Sequence, residues 1–335
     1  MTMGLPTMVG ERVFSRRALL ASPALAATAP ARAQTQSGLV QVGTQGWLFP
    51  IWDRVDGLDQ NALRETVQVI SQAITALRAG RMDVVICLIP SRKRLMRQYL
   101  PANLRYASEV DRRYAFPLAE MRRAGALVPD LDAHFRDVMQ REPQRALFWK
   151  TDTHWTPVGA EVAAIEIARQ MRGQLGMPQS SRPGTRLGDL RPMTLAAGDL
   201  ARYVPQAQRS SYGAEESWIR QILGAEGPAA LLGDDTTDVS IVGTSNVQPR
   251  FGLQPVLSNQ ILRPVGLLWK PNNLGTYFAL LEYLKSEDFR RNRPRALVWN
   301  LLELDMVTST NNSAWGQAAM PAANFLSEIR RLVGA

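Results

Sequence analysis

Residues 149–157 read WKTDTHWTP and place Asp152 two positions before His154. On extended backbone, side chains two apart share a face, so the carboxylate can accept the imidazole Nδ1–H. That bond fixes the tautomer and supports the imidazolium formed when the ring takes a proton. The other of the two histidines is a control: Asp132-Ala133-His134 has the same spacing. It falls in a helical pattern, where positions two apart diverge by about 200°, and His134 reads as a partly exposed helix residue. A base also needs a nucleophile. In IVGTSN (241–246) a buried strand ends in Gly243-Thr244-Ser245. Gly243 permits a sharp turn, and Ser245 stands at the carboxyl end of the strand, the edge where ligand sites of open α/β sheets gather. The main-chain N–H groups of Ser245 and Asn246 can face a developing oxyanion there. An ordinary strand-to-loop turn has the same composition, so the turn alone does not assign the serine.

These side chains need a scaffold. Residues 58–80 carry Leu63, Val67, Ile70, Ile74 and Leu77 at helical spacing, closed by Gly80. DVVICLIP (83–90) is a continuous β-branched run suited to a strand buried on both faces. Helices are expected at 108–124 and 132–140, with short strands at ALVPDL (126–131) and ALFWK (146–150). Thr156 and Pro157 read as the cap and first residue of a helix that presents Val158, Val162, Ile165 and Met171. From about 177 to 235, Ser, Pro and Gly clusters indicate a loop-rich insertion with a helix near 214–223. Strands follow at DVSIVG (238–243), ILRPVGLL (261–268) and ALVWNLLEL (296–304), with helices at 274–286 and 321–333. Strand and helix alternate, the pattern of an α/β domain with a mainly parallel sheet.

The N-terminus reads as an address. Ser15-Arg16-Arg17 is a twin arginine, Ala18–Ala29 a short apolar run broken by Pro23, and Ala31-Arg32-Ala33 a small-x-small cleavage pattern. The run falls short of the about 20 residues a membrane-spanning helix needs. Residues 1–33 are therefore expected to be a Tat-type signal, cleaved after Ala33, delivering residues 34–335 to the periplasm as one domain. Losing four arginines and one glutamate with it takes the formal charge from +9 to +6. The remaining charge is mildly basic without a dense Lys/Arg block, which gives no indication of nucleic acid. The single cysteine, Cys87, excludes an intrachain disulfide, and with only two histidines a metal site of the imidazole/thiolate kind is not expected.

TDTHWTPVGAE (151–161), the upstream GTQGWLF (43–49) and the downstream VGTSN (242–246) resemble the SGNH-hydrolase-like domain of the alginate O-acetyltransferase family, over about residues 40 to 305. The resemblance implies a three-layer α/β/α sandwich. It also implies a catalytic triad of Asp152, His154 and Ser245, needing no cofactor. The triad order and the Thr244 in place of an Asp differ from ordinary SGNH esterases and match the acetyltransferase branch. Phe251 lies where some relatives have a Tyr, and no carbohydrate-binding module is expected to follow. The implied chemistry is transfer of acetyl onto Ser245 and then onto a hydroxyl of an exopolysaccharide, alginate- or cellulose-like, with a membrane-bound O-acyltransferase as the donor partner.

Several residues are candidates for the oxyanion or the acceptor. Asn272 and Asn273 in KPNNLGTY (270–277) are one pair, with a turn and helix N-cap as their structural alternative. Arg92 and Lys93 follow the first buried strand, where exposed basic loop residues are the default. Trp149 and Trp155 offer faces for sugar stacking or belong to the core. An acetylesterase with the same triad differs only in accepting water, and a non-catalytic polysaccharide-binding scaffold remains a third class.

Overall fold

A computed structural model describes residues 38–223 and 237–335. The expected signal and its cleavage position lie outside the described residues. Along the chain, β1 (Val40–Val42) and β2 (Leu48–Pro50) form an antiparallel pair, followed by α1 (Gln60–Ala79), β3 (Asp83–Ile89), α2 (Arg92–Leu95), α3 (Arg112–Arg123), α4 (Leu131–Arg141) and α5 (Pro157–Gln174). The arm strands β4 (Arg186–Leu195) and β5 (Glu215–Leu223) come next. Then follow β6 (Val239–Gly243), α6 (Leu253–Gln260), β7 (Val265–Trp269), α7 (Gly275–Lys285), α8 (Glu287–Arg291), β8 (Ala296–Leu302) and α9 (Ala322–Val333).

The central sheet has the order β3-β8-β6-β7 and is parallel throughout. Its strands alternate between two apolar layers, as a period of two requires. Val84, Ile86, Leu88, Leu297, Trp299 and Leu301 pack into the layer that holds buried residues of α1, α3, α7 and α9. Val85, Cys87, Ile89, Ala296 and Val298 pack into the layer of α4, α5 and α6. This is the expected three-layer α/β/α sandwich. Among the described residues no helix is long and apolar enough to cross a membrane.

Several local expectations change. ALVPDL and ALFWK contribute only single bridges, Leu127 to Val85 and Phe148 to Trp155. In the first, Pro129 is followed at once by the α4 cap, where the Asp130 carboxylate accepts Ala133 N–H. In the second, the Trp149 and Lys150 carbonyls turn away to meet the Arg92 guanidinium. The strand expected at 261–268 begins at Val265, after Leu262 in a left-handed conformation and Pro264. The helix expected near 214–223 is β5, paired with β4 through Trp218–Pro192 and Ile219–Arg191. Its Trp and Ile residues favour a strand once a partner is present. The α5 start is as read: Thr156 Oγ1 accepts Gly159 N–H at 3.0 Å ahead of Pro157. Of the expected face Val162 and Met171 are buried, joined by Ala160, Ala163, Ala164, Ile167 and Ala168, while Ile165 is exposed. Small residues let this helix lie close to the sheet.

Candidate active site

β6 delivers Ser245. After Gly243 the chain breaks into a 3-10 turn over Ser245–Val247. Gly243 is required where it stands, because a Cβ there would sit 2.5 Å from the Asn300 Cβ on neighbouring β8. The turn leaves the half-buried Ser245 hydroxyl at the carboxyl edge of the sheet. Asn300 fills the space beneath and donates to the Cys87 carbonyl at 3.3 Å.

The segment between Trp149 and Trp155 delivers His154. It is a chain of bends rather than the extended backbone expected. Asp152 and His154 meet because the carboxylate folds back on the chain. Its Oδ1 accepts the His154 main-chain N–H at 2.9 Å and the ring Nδ1–H at 2.6 Å. With Nδ1 donating, Nε2 is left as an acceptor, and it lies 2.8 Å from Ser245 Oγ. Phe251 stacks on the imidazole with ring centroids 5.3 Å apart, covering one face. Burial by itself raises the Asp152 carboxyl, but the hydrogen bonds and charge of His154 outweigh it and bring the pKa down to about 2. The buried carboxylate is thus ionised and oriented to support an imidazolium.

His154 and Ser245 border a cavity of about 330 Å³, which Asn246, Asn272 and Asn273 also line. The Ser245 and Asn246 main-chain N–H groups have no protein acceptor among the described residues. Asn272 and Asn273 form a short 3-10 turn and do not cap α7, whose cap, Leu274, makes no side-chain bond. The Asn272 side-chain oxygen is buried without a partner among the described residues, so this amide retains hydrogen-bonding capacity at the cavity wall.

Four other expected contacts fall elsewhere. Trp155 is fully buried and cannot stack on a sugar; its Nε1–H donates to the Asn246 carbonyl at 2.8 Å. Trp149 is likewise buried. Arg92 reaches the cavity edge but is buried, and its guanidinium donates to the carbonyls of Leu48, Trp149 and Lys150, bracing the segment before Asp152. Burial lowers its pKa to about 10, against the pull of nearby carboxylates. Lys93 does not line the cavity; it donates to the Gln41 side chain and the Pro50 carbonyl. Both are internal because their charged ends find oxygen acceptors that a loop reading does not reveal. The aromatics that do line the cavity are the buried Phe148, Trp52, 47% exposed, and Tyr203, set edge-on to Trp52 at 6.2 Å.

Sequence reasoning missed a second group of residues. Fully buried Glu303, just after β8, accepts from Ser91 N–H at 2.7 Å, Arg94 Nε at 2.9 Å and Arg113 Nε at 3.1 Å. Asp53 completes the network through Ser91 Oγ at 2.6 Å and Arg113 Nη2 at 2.7 Å. The network ties the ends of β3 and β8 beneath the cavity. Asp199 and Glu215 were also missed, and both hold the segment around Thr151 to Thr153. The donor atoms of Asp152, His154 and Asp199 lie within 4.8 Å of one another. They are engaged in hydrogen bonds within the segment and do not form an open ligand set.

Residues 40–303 match the family described as SGNH hydrolase-like domain, acetyltransferase AlgX. The chain is 30% identical over 277 residues to the probable alginate O-acetylase AlgJ of Pseudomonas putida, covering 79% of this chain and 69% of that protein. It is 25% identical over 233 residues to the alginate biosynthesis protein AlgX of Pseudomonas aeruginosa, covering 67% and 47% respectively. Among solved structures, the O-acetyltransferase domain of Pseudomonas putida AlgJ superposes with a TM-score of 0.69 at 23% identity, over 87% of this chain and 98% of that one. Pseudomonas aeruginosa AlgX gives 0.61 at 21% identity, over 86% and 65%. The family match identifies the domain as SGNH-hydrolase-like, and the two solved structures share its fold.

Proposed function

The chain belongs to the SGNH hydrolase-like acetyltransferase family represented by AlgX, and from that premise we propose that it acetylates hydroxyl groups of an exopolysaccharide through an acetyl-Ser245 intermediate. The observation that carries the chemistry is the continuous relay from Asp152 through His154 to Ser245, at 2.6 and 2.8 Å. His154 Nε2 takes the proton from Ser245 Oγ as the oxygen attacks the acetyl carbonyl of the donor. The tetrahedral oxyanion is held by the main-chain N–H groups of Ser245 and Asn246. The imidazolium then protonates the leaving group. In the second half, His154 removes the proton of a sugar hydroxyl, which attacks the acetyl ester and regenerates Ser245.

The names of the relatives favour an alginate-type polymer as acceptor. The twin-arginine start supports a periplasmic site of action, away from cytoplasmic acetyl donors. A membrane-bound O-acyltransferase handing acetyl to this chain fits that arrangement. Trp52 and Tyr203 give the cavity an aromatic edge suited to a sugar ring.

The test uses an activated aryl acetate with and without a deacetylated oligosaccharide, followed by intact-mass measurement. An acetyl adduct that Ser245→Ala abolishes, and that oligosaccharide discharges faster than buffer does, supports transfer. Equal discharge into water makes the protein an esterase. Absence of any adduct or turnover leaves a polysaccharide-binding scaffold.

A further inference from the structure

The arm contributes a short strap, Gly198-Asp199-Leu200, that lies directly on the segment carrying Asp152. Gly198 packs so closely on Thr151 that a Cβ would sit 2.1 Å from the Thr151 carbonyl oxygen. Leu200 N–H donates to that same oxygen at 3.0 Å. Between them, Asp199 makes three contacts. Its main-chain N–H donates to Asp152 Oδ2 at 3.0 Å, its Oδ1 accepts Thr153 N–H at 2.8 Å, and its Oδ2 accepts the Thr153 hydroxyl at 2.5 Å. The same Oδ2 lies 3.9 Å from His154 Nδ1.

We propose that Asp199 is a positioning residue for the acetyl-transfer reaction, setting the Asp152–His154 pair by occupying the second oxygen of Asp152 and holding Thr153 through its carboxylate. The inference rests on the reading of Asp152, His154 and Ser245 as a triad. Asp152 Oδ1 alone serves the imidazole, so the plane of its carboxylate is fixed by what holds Oδ2, and that donor is Asp199 N–H. The Thr153 hydroxyl lies 3.4 Å from His154 Nδ1. Bound to Asp199, it donates away from the ring and does not compete for the ring's partner. Glu215, from β5, performs the parallel task one turn earlier: its carboxylate accepts Lys150 N–H at 2.7 Å, Thr151 N–H at 2.9 Å and Thr151 Oγ1 at 2.5 Å. Two carboxylates of the arm thus hold Lys150, Thr151 and Thr153, and the Asp199 main-chain N–H holds Asp152 between them. Near-attack geometry is sensitive to displacements of about 1 Å, so loosening this hold acts on the rate rather than on acceptor affinity.

The experiment measures kcat and KM for acetyl transfer from an aryl acetate to a deacetylated oligosaccharide in the full chain. Asp199→Asn keeps the shape and the Thr153 N–H bond but places an amide against the Thr153 hydroxyl. Asp199→Ala removes both side-chain bonds. Expected are losses in kcat of about tenfold and about hundredfold respectively, with KM within twofold of wild type. Thr153→Ser retains wild-type kcat, whereas Thr153→Val falls with Asp199→Asn, and the double variant loses no more than either alone. With two histidines, ¹⁵N-histidine labelling gives a direct readout. The His154 Nδ1 proton shifts in Asp199→Asn while the His134 signals stay in place. Retention of kcat within twofold in both Asp199 variants overturns the proposal. So does a rise in KM at constant kcat, or a loss equal to the unfolded fraction seen by thermal melting. Ser245→Ala assayed in parallel separates the two readings. If it keeps activity, the triad fails and this inference with it; if it is inactive while Asp199→Asn is unimpaired, only this inference fails.

Discussion

The indole Nε1–H of Trp155 donates to the main-chain carbonyl of Asn246 across 2.8 Å, joining the segment that carries His154 to the turn that carries Ser245. The two residues are 91 positions apart, and each is the direct neighbour of one of those two side chains. Trp155→Phe keeps an aromatic ring but leaves that buried carbonyl unpaired and part of the indole's space unfilled. We expect a loss of about 1–3 kcal/mol in urea unfolding and a fall in kcat beyond what the unfolded fraction explains. Unchanged kcat in fully folded protein would show that the two turns hold their spacing without this bond.

Asp152 gives a pH signature in stability. Its carboxyl is depressed to about 2 in the folded state, so the unfolded chain binds more protons between that value and the ordinary one near 3.8. The stabilisation, of order 2 kcal/mol, is complete above about pH 4 and disappears as the pH falls through 2. Asp152→Asn removes this dependence. Chemical denaturation of both proteins from pH 5 to pH 2 measures it, and parallel curves would contradict the assignment.

Asp305 has the opposite sign. It is buried with Oδ2 unpaired among the described residues, and burial, reinforced by Asp53 and opposed by Arg113, raises its pKa to about 7. The folded state therefore binds more protons than the unfolded state between about 4 and 7, and stability falls as the pH rises through that window. Asp305→Asn is expected to leave stability at pH 4 unchanged and to raise it by about 2–4 kcal/mol at pH 8. Equal stability of the two proteins at pH 8 would count against it.

Arg92 braces the base-carrying segment through three main-chain carbonyls, while the Trp47 and Phe49 rings lie about its guanidinium at 5.5 and 5.2 Å. A lysine ammonium cannot reproduce the planar fork. Arg92→Lys should cost about 2–3 kcal/mol in stability and lower kcat with little change in KM. A rise in KM alone would return Arg92 to the acceptor-binding role that its position after β3 suggested.

The legible parts of this protein are those whose causes are local. Thr156-Pro157 marks the α5 start because cap and first turn are adjacent in sequence, and β3, β6 and β8 are legible as unbroken apolar runs. The motif pointed to Asp152, His154 and Ser245, and the three side chains do meet, although the backbone argument for the first two was wrong: the carboxylate reaches the ring through a bend. Asp199 and Glu215 were missed because they act on residues 46 and 64 positions away, in a segment whose composition looks like loop. Glu303 was missed for the same reason, since its guanidinium partners Arg94 and Arg113 are 209 and 190 positions distant. Lys93 and Arg92 were misread because a charge count places cations outside, while carbonyl groups of β2 and of Trp149 and Lys150 draw them in.

The two-stranded arm makes the geometry around Asp152 depend on a part of the chain outside the parallel sheet. Among the described residues β4 and β5 pair only with each other, yet the arm carries Asp199 and Glu215, whose carboxylates accept from Lys150, Thr151 and Thr153. A substitution in this ribbon therefore reaches the His154 neighbourhood without touching a strand of the central sheet.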